Sequence, residues 1–120
     1  FSQRAITSTQ FHQHLLLAPQ ARDYLAAHYS EAITLPSLAV ALGITVSQLK
    51  RVFHEQIGQS MVRYLTALRI GAAKRLIREG NLTFTQIAER IGIESIYYFS
   101  NLFKKQTGMS PTEYEKTLKE

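Results

Sequence analysis

The sequence predicts an all-α fold in which two helix-turn-helix units are joined by one long helix, and three stretches carry that expectation. The first is Ile91–Tyr114. It follows an apolar helical pattern (Phe84, Ile87, Ala88, Ile91) closed by Gly92, the residue type that ends helices in the left-handed conformation. Ile93–Ser95 leaves room only for a tight turn. A second helical pattern follows, Tyr98, Phe99, Leu102 and Phe103, closed by Gly108. Two short helices across such a turn make a helix-turn-helix; taken alone they read equally as a helical hairpin with a solvated polar face. The second stretch is an earlier copy. Thr34–Tyr64 aligns with Thr83–Tyr114 at an offset of 49, which becomes 50 once one residue is gained in the turn. Thr34/Thr83, Ala39/Ala88, Gly43/Gly92, Ile44/Ile93, Phe53/Phe103, Gln56/Gln106, Gly58/Gly108, Ser60/Ser110 and Tyr64/Tyr114 are identical pairs. The same turn and the same aromatic wedge are therefore needed twice, and two copies, too few for a solenoid, make a pseudo-duplicated domain. The third stretch lies between the copies: Met61–Arg78 carries a continuous apolar stripe.

Taken in order, residues 1–17 are polar and rich in Gln, Thr and Ser until Leu15–Leu17, and show no sustained period. They are expected to be a linker or the tail of an upstream domain, with the folded domain spanning 18–120. The chain opens on Phe1 rather than Met, which fits a piece of a longer protein. Pro19 suits the first position of a helix over about Pro19–Tyr29, where Ala21, Tyr24, Leu25 and His28 share a face as a brace for the first unit. That unit spans about 34–58. Thr34 caps Leu35–Leu42, with Pro36 tolerated in the first turn. Thr45-Val46-Ser47-Gln48 is a capping box opening a helix to Ile57, with Leu49, Val52 and Phe53 inward and Ser47, Lys50, Arg51 and His54 outward.

Ser60 caps the long helix, about 60–79 with its cap. Met61, Leu65, Leu68, Ala72 and Leu76 form its stripe, with Tyr64, Ala73 and Ile77 beside them. Met61–Arg78 spans roughly 27 Å at ~1.5 Å per residue, near the ~34 Å between successive major grooves on one DNA face. Gly71 inside it points to close packing or a bend, since Gly is about 1 kcal/mol worse than Ala there. Thr83-Phe84-Thr85-Gln86 is a second capping box and opens the second unit, about 83–108. Ser110-Pro111-Thr112-Glu113 is a third and starts a terminal helix to about Leu118.

A chain of 120 residues with 45% hydrophobic and 19% charged residues is globular in composition, one domain or two small units sharing a core. With no Cys there are no disulfides, thiolate metal sites or Cys nucleophiles, which fits a reducing compartment. No apolar run approaches the ~18 residues needed to span a bilayer. His12 and His14 face apart on a helix and lack partners for a metal site. No carboxylate pair, Ser-His pair or phosphate loop stands at useful spacing, so neither an enzyme nor a cofactor is expected. Charge is the positive signal. Thr45–Lys105 holds ten Lys/Arg against four Glu, a net +6, while the flanks together carry −1. A basic middle with near-neutral ends suits a polyanion binder. The polar face left over on the second helix of the later unit carries Tyr97, Ser100, Asn101, Lys104 and Lys105, types that reach base edges and phosphates.

Arg69–Ile77 (RIGAAKRLI), Ile87-Ala88 through Gly92, Tyr98–Pro111 (YFSNLFKKQTGMSP) and Glu113-Tyr114 together resemble the DNA-binding domain of the AraC/XylS family of bacterial transcription regulators, over roughly Gln20–Lys116. The resemblance implies a homeodomain-like bundle of seven helices, with two recognition helices in adjacent major grooves of one DNA face. It further implies a separate N-terminal effector or dimerisation domain, a role in activating transcription through RNA polymerase, and a cytoplasmic, nucleoid-associated location. It places base reading at Ser47, Lys50 and Arg51 of the first recognition helix and at Ile96, Tyr97, Ser100 and Asn101 of the second. Thr45, His54, Lys104 and Lys105 are the expected phosphate partners. Three positions depart from the family pattern: Asn101 stands where Arg is common, Ile93 where Phe is common, and His54 where Lys is frequent. Asn keeps the ability to pair with adenine but forfeits charge, so the second unit is expected to bind more weakly or read different bases. Phe53, Phe99 and Phe103 are expected in the core rather than as stacking platforms. Tyr97 is open between groove contact and partial burial, and Arg69 is expected to brace the long helix. The rival of another class is a helical adaptor for a protein partner, which needs neither the basic centre nor matching polar stripes.

Overall fold

The computed structural model describes residues 8–119, with side chains from His14 onward; among them it has seven α-helices and no strand. These are α1 (Ser8–His28), α2 (Leu35–Leu42), α3 (Val46–Val52), α4 (Met61–Glu79), α5 (Phe84–Arg90), α6 (Ile96–Thr107) and α7 (Pro111–Thr117). The all-α bundle with two helix-turn-helix units, α2–α3 and α5–α6, is as predicted, and the long α4 joins them in chain order.

Four of the caps that the sequence announces form as written. Thr34, Thr45, Thr83 and Ser110 each accept the N–H three residues on, at 3.1 Å. In return, Gln48, Gln86 and Glu113 accept the backbone N–H of their caps at 2.8–2.9 Å. Ser37 does the same for Thr34 at 2.9 Å, completing a box that the S/T-x-x-E/Q pattern does not flag. Each such cap is worth about 1 kcal/mol. At the last of them, hydrogen bonds from the Ser110 backbone and then its side chain hold the Glu113 carboxyl below its ordinary pKa. That contribution is present above the carboxylate's unfolded pKa and is lost as pH falls through the folded one.

The chain forms two compact units. One contains α1 as far as Ala27 together with Ile33–Met61, and its buried residues are Ala18, Ala21 and Leu25 of α1, Leu38 and Ala39 of α2, Leu49 and Val52 of α3, Phe53 and Met61. The other contains His28–Ala32 and the chain from Val62. Its core is Ile70, Ala72, Ala73 and Ile77 of α4, Ile87 and Ala88 of α5, Ile91 and Ile93 of the turn, and Phe99 and Phe103 of α6. Tyr114 of α7 closes on it edge-on to Phe103, ring centroids 5.5 Å apart, with its hydroxyl 3.2 Å from the Arg78 guanidinium.

Four expectations change. The first helix starts at Ser8, not Pro19, and Pro19 lies inside it. An interior proline loses one backbone hydrogen bond and costs about 3 kcal/mol. The buried stripe of Ala18, Ala21 and Leu25 runs straight past the proline and opposes that loss. Second, α3 does not stay α-helical to Ile57 but ends as a π-type turn, Phe53–Ile57, in which Gly58 N–H donates to the Phe53 carbonyl at 2.7 Å. In the second copy the matching carbonyl, Phe103, receives the Thr107 hydroxyl at 2.8 Å, and Gly108 N–H goes to Lys104 instead. Ile57 stands where Thr107 does and has no hydroxyl to offer, so the glycine N–H takes the carbonyl itself. Third, Tyr98, expected inward, is 59% exposed: Phe99 and Phe103, four apart, fill the core and rotate their neighbour out. Fourth, Gly71 is not closely packed, because apart from its chain neighbours and its own turn of helix backbone nothing lies within 4 Å of where its Cβ would stand. Gly71→Ala is therefore expected to stabilise by about 0.5–1 kcal/mol. A rise of a few degrees in Tm checks this, and a fall would mean that this face of α4 is covered.

Candidate nucleic-acid interface

On α3 and its continuation, Ser47, Lys50, Arg51 and His54 are all exposed. Their spacing, i, i+3, i+4, i+7, sets them in one stripe opposite Leu49, Val52 and Phe53, which are at most 2% exposed. The helix is held at its start by Thr45, whose hydroxyl accepts from Gln48 N–H and retains a proton to donate elsewhere. On α6, Tyr97 is 80% exposed, and Asn101, Lys104 and Lys105 are exposed beside it. The question left open for Tyr97 is thus answered on the solvent side. Ser100 is half-buried, and Ile96 divides itself, packed in part against the core of its own unit. Lys104 and Lys105 occupy the last turn, where the helix dipole favours cations.

The two helices thus present polar stripes in the same register: Ser47 matches Tyr97, Lys50 matches Ser100, Arg51 matches Asn101 and His54 matches Lys104. Each helix is set by the same local device, a hydroxyl cap at its start and a left-handed glycine at its end, Gly58 at φ +85° and Gly108 at φ +85°. Arg69, expected to brace the long helix, ties it to the chain before α2, donating to the Tyr29 carbonyl at 2.8 Å and the Glu31 carbonyl at 2.9 Å. Its partial burial pushes its pKa down, opposed by the Tyr98 hydroxyl nearby. Tyr98 and the segment His28–Ala32 are features that periodicity missed: the first because a tyrosine counts as apolar, the second because a contact 40 residues away leaves no local signal.

Among the described residues no three His, Cys, Asp or Glu side chains gather as a metal site. His14 lies 3.3 Å from Gln56, and the side chain of His12 lies outside the described residues. No described helix is long and apolar enough to cross a membrane.

Paired helix-turn-helix units with exposed polar recognition helices define the class, the helix-turn-helix transcriptional regulators, and residues 38–117 match the helix-turn-helix domain family. The chain belongs to the AraC/XylS-type regulators and corresponds to their C-terminal DNA-binding domain. It is 37% identical over 100 residues to the HTH-type transcriptional regulator YisR of Bacillus subtilis, a match covering 83% of this chain and 35% of that protein. It is 30% identical over 95 residues to the xylose operon regulatory protein of Escherichia coli K12, covering 79% of this chain and 24% of that one. The chain thus spans about a third or less of the length of these curated relatives. Among solved structures, the C-terminal domain of AraT, a response regulator of Geobacillus stearothermophilus, superposes with a TM-score of 0.81 at 36% identity, covering 83% of this chain and 84% of that one.

Proposed function

We propose that this chain binds duplex DNA sequence-specifically, docking α3 and α6 in adjacent major grooves on one face. Residues 18–120 form the binding domain, and 1–17 are a linker or the tail of an upstream domain, with α1 running back to Ser8. Ser47, Lys50 and Arg51 read one half-site; Ile96, Tyr97, Ser100 and Asn101 read the other; Thr45, His54, Lys104 and Lys105 hold phosphates. The parent protein acts in the cytoplasm, on the nucleoid, as an activator that positions RNA polymerase, and an effector reaches it through a domain outside this chain. The observation that carries the reading is the repetition of an exposed polar stripe in one register on both recognition helices. Neither stripe is needed for folding, since the opposite face of each helix supplies the core.

Selection from a random duplex pool tests it, followed by two variants. Arg51→Ala is expected to cost about 1–3 kcal/mol and to relax preference at particular base pairs of one half-site. Lys105→Ala is expected to weaken all sequences about equally, as a lost phosphate contact does. Uniform loss in both variants would refute the role of Arg51 as a reader. The exposed Tyr97–Tyr98 pair, 80% and 59% accessible, is the feature that favours the rival protein-adaptor reading, because tyrosines anchor protein interfaces. An adaptor would yield no enriched sequence in the same selection.

A further inference from the structure

Segment His28–Ala32 runs in chain order from the last residue of α1 toward α2, flanked on both sides by the first unit, yet it is built into the second. Three contacts hold it there. The Arg69 guanidinium donates to the carbonyls on either side of Ser30, at 2.8 Å to Tyr29 and 2.9 Å to Glu31. The Tyr29 ring packs against the core of the second unit, with its hydroxyl 3.5 Å from Arg75. Between the two clamped carbonyls, that of Ser30 presses on Gly92 so closely that a Cβ there would stand 2.6 Å from the oxygen. Gly92 begins the turn that leads, through buried Ile93, to Ser95, the cap of α6.

The turn that sets where the second recognition helix begins therefore rests on a backbone carbonyl fixed from both sides. We infer that Arg69 and the Ser30–Gly92 contact form a positioning clamp that aims α6, and hence sets base preference in the second half-site. This rests on the DNA-binding reading above. The duplication supplies an internal control: Gly43 occupies the matching place before α3 at φ +72°, and nothing lies within 4 Å of its Cβ position.

The test is selection from a random duplex pool with the whole chain and three variants. Gly43→Ala and Gly92→Ala both place a side chain in the left-handed region, but only the second also strikes a backbone carbonyl. Gly92→Ala is expected to reduce discrimination at the α6 half-site by about tenfold, with the α3 half-site unchanged. Gly43→Ala is expected to leave both patterns intact. Arg69→Lys keeps the charge but cannot serve two carbonyls with one rigid fork, and it is expected to act in the direction of Gly92→Ala; it decides the matter if Gly92→Ala fails to fold. Discrimination is a ratio among molecules that bind, so any unfolded fraction divides out. Equal weakening of every sequence by Gly92→Ala and Arg69→Lys, or an equal effect of Gly43→Ala on its own half-site, would reduce the clamp to a purely structural feature. A wild-type selection without a second half-site would overturn the two-groove reading itself, and the clamp's role with it.

Discussion

Phe103→Ala is expected to remove about 3–5 kcal/mol of stability. The ring is fully buried, tilted against Phe99 at 5.8 Å and edge-on to Tyr114 at 5.5 Å, so it ties α6 to itself and to α7. Truncation forfeits the transfer free energy of the ring, leaves a cavity that rigid neighbours only partly fill, and loses two aromatic contacts of about 0.5–1.5 kcal/mol each. Against the 5–15 kcal/mol typical of a domain, that takes the second unit close to its unfolding threshold. Urea denaturation should show a lower midpoint, and protection should disappear from the half-site read by α6. Phe103→Leu keeps most of the volume and is expected to lose less. Phe53→Ala should do to the first unit what Phe103→Ala does to the second, since Phe53 holds the duplicated position and is 2% exposed. A Phe103→Ala midpoint equal to that of wild type would mean that this ring is not the wedge it is taken to be.

The wedge was legible in sequence because it repeats. The same holds for the caps at Thr34, Thr45, Thr83 and Ser110 and for the turn glycines, whose signals lie within four residues of the structure they specify. The outward stripe of α3 was legible as the complement of Leu49, Val52 and Phe53, and α6 yielded all of its stripe except Tyr98. What escaped was set by competition or by distance. Pro19 announces a helix start only where no helix already runs through it, and the buried stripe on either side decides that it does. The π-type turn depends on which group reaches the Phe53 carbonyl, a choice made by the residue at position 57 and invisible to apolar periodicity. Gly92 and Gly43 look alike in sequence, and only the arrival of Ser30 in space distinguishes them.

Raising monovalent salt from about 50 to about 200 mM is expected to weaken DNA binding by roughly 100-fold. The four cations assigned to the DNA face, Lys50, Arg51, Lys104 and Lys105, are all exposed. Each cation brought into the field of the phosphates, whether it holds one or reads a base edge between them, displaces condensed counterions and contributes about 0.9 to the log–log slope, so four give a slope near −3.6. Over a fourfold change in salt that amounts to about two decades in Kd. Because the charges are additive in this regime, Lys104→Gln with Lys105→Gln should bring the slope to about half, whereas Arg51→Ala should change base preference as well as slope. A protein partner would respond differently: exposed ion pairs contribute only about 0.2–1 kcal/mol each, and a groove anchored by Tyr97 and Tyr98 would hold much of its affinity in salt. Fluorescence anisotropy on a selected duplex, repeated across salt concentrations for wild type and the double variant, measures both slopes. A nearly flat plot, or a double variant with the wild-type slope, would remove Lys104 and Lys105 from the DNA face.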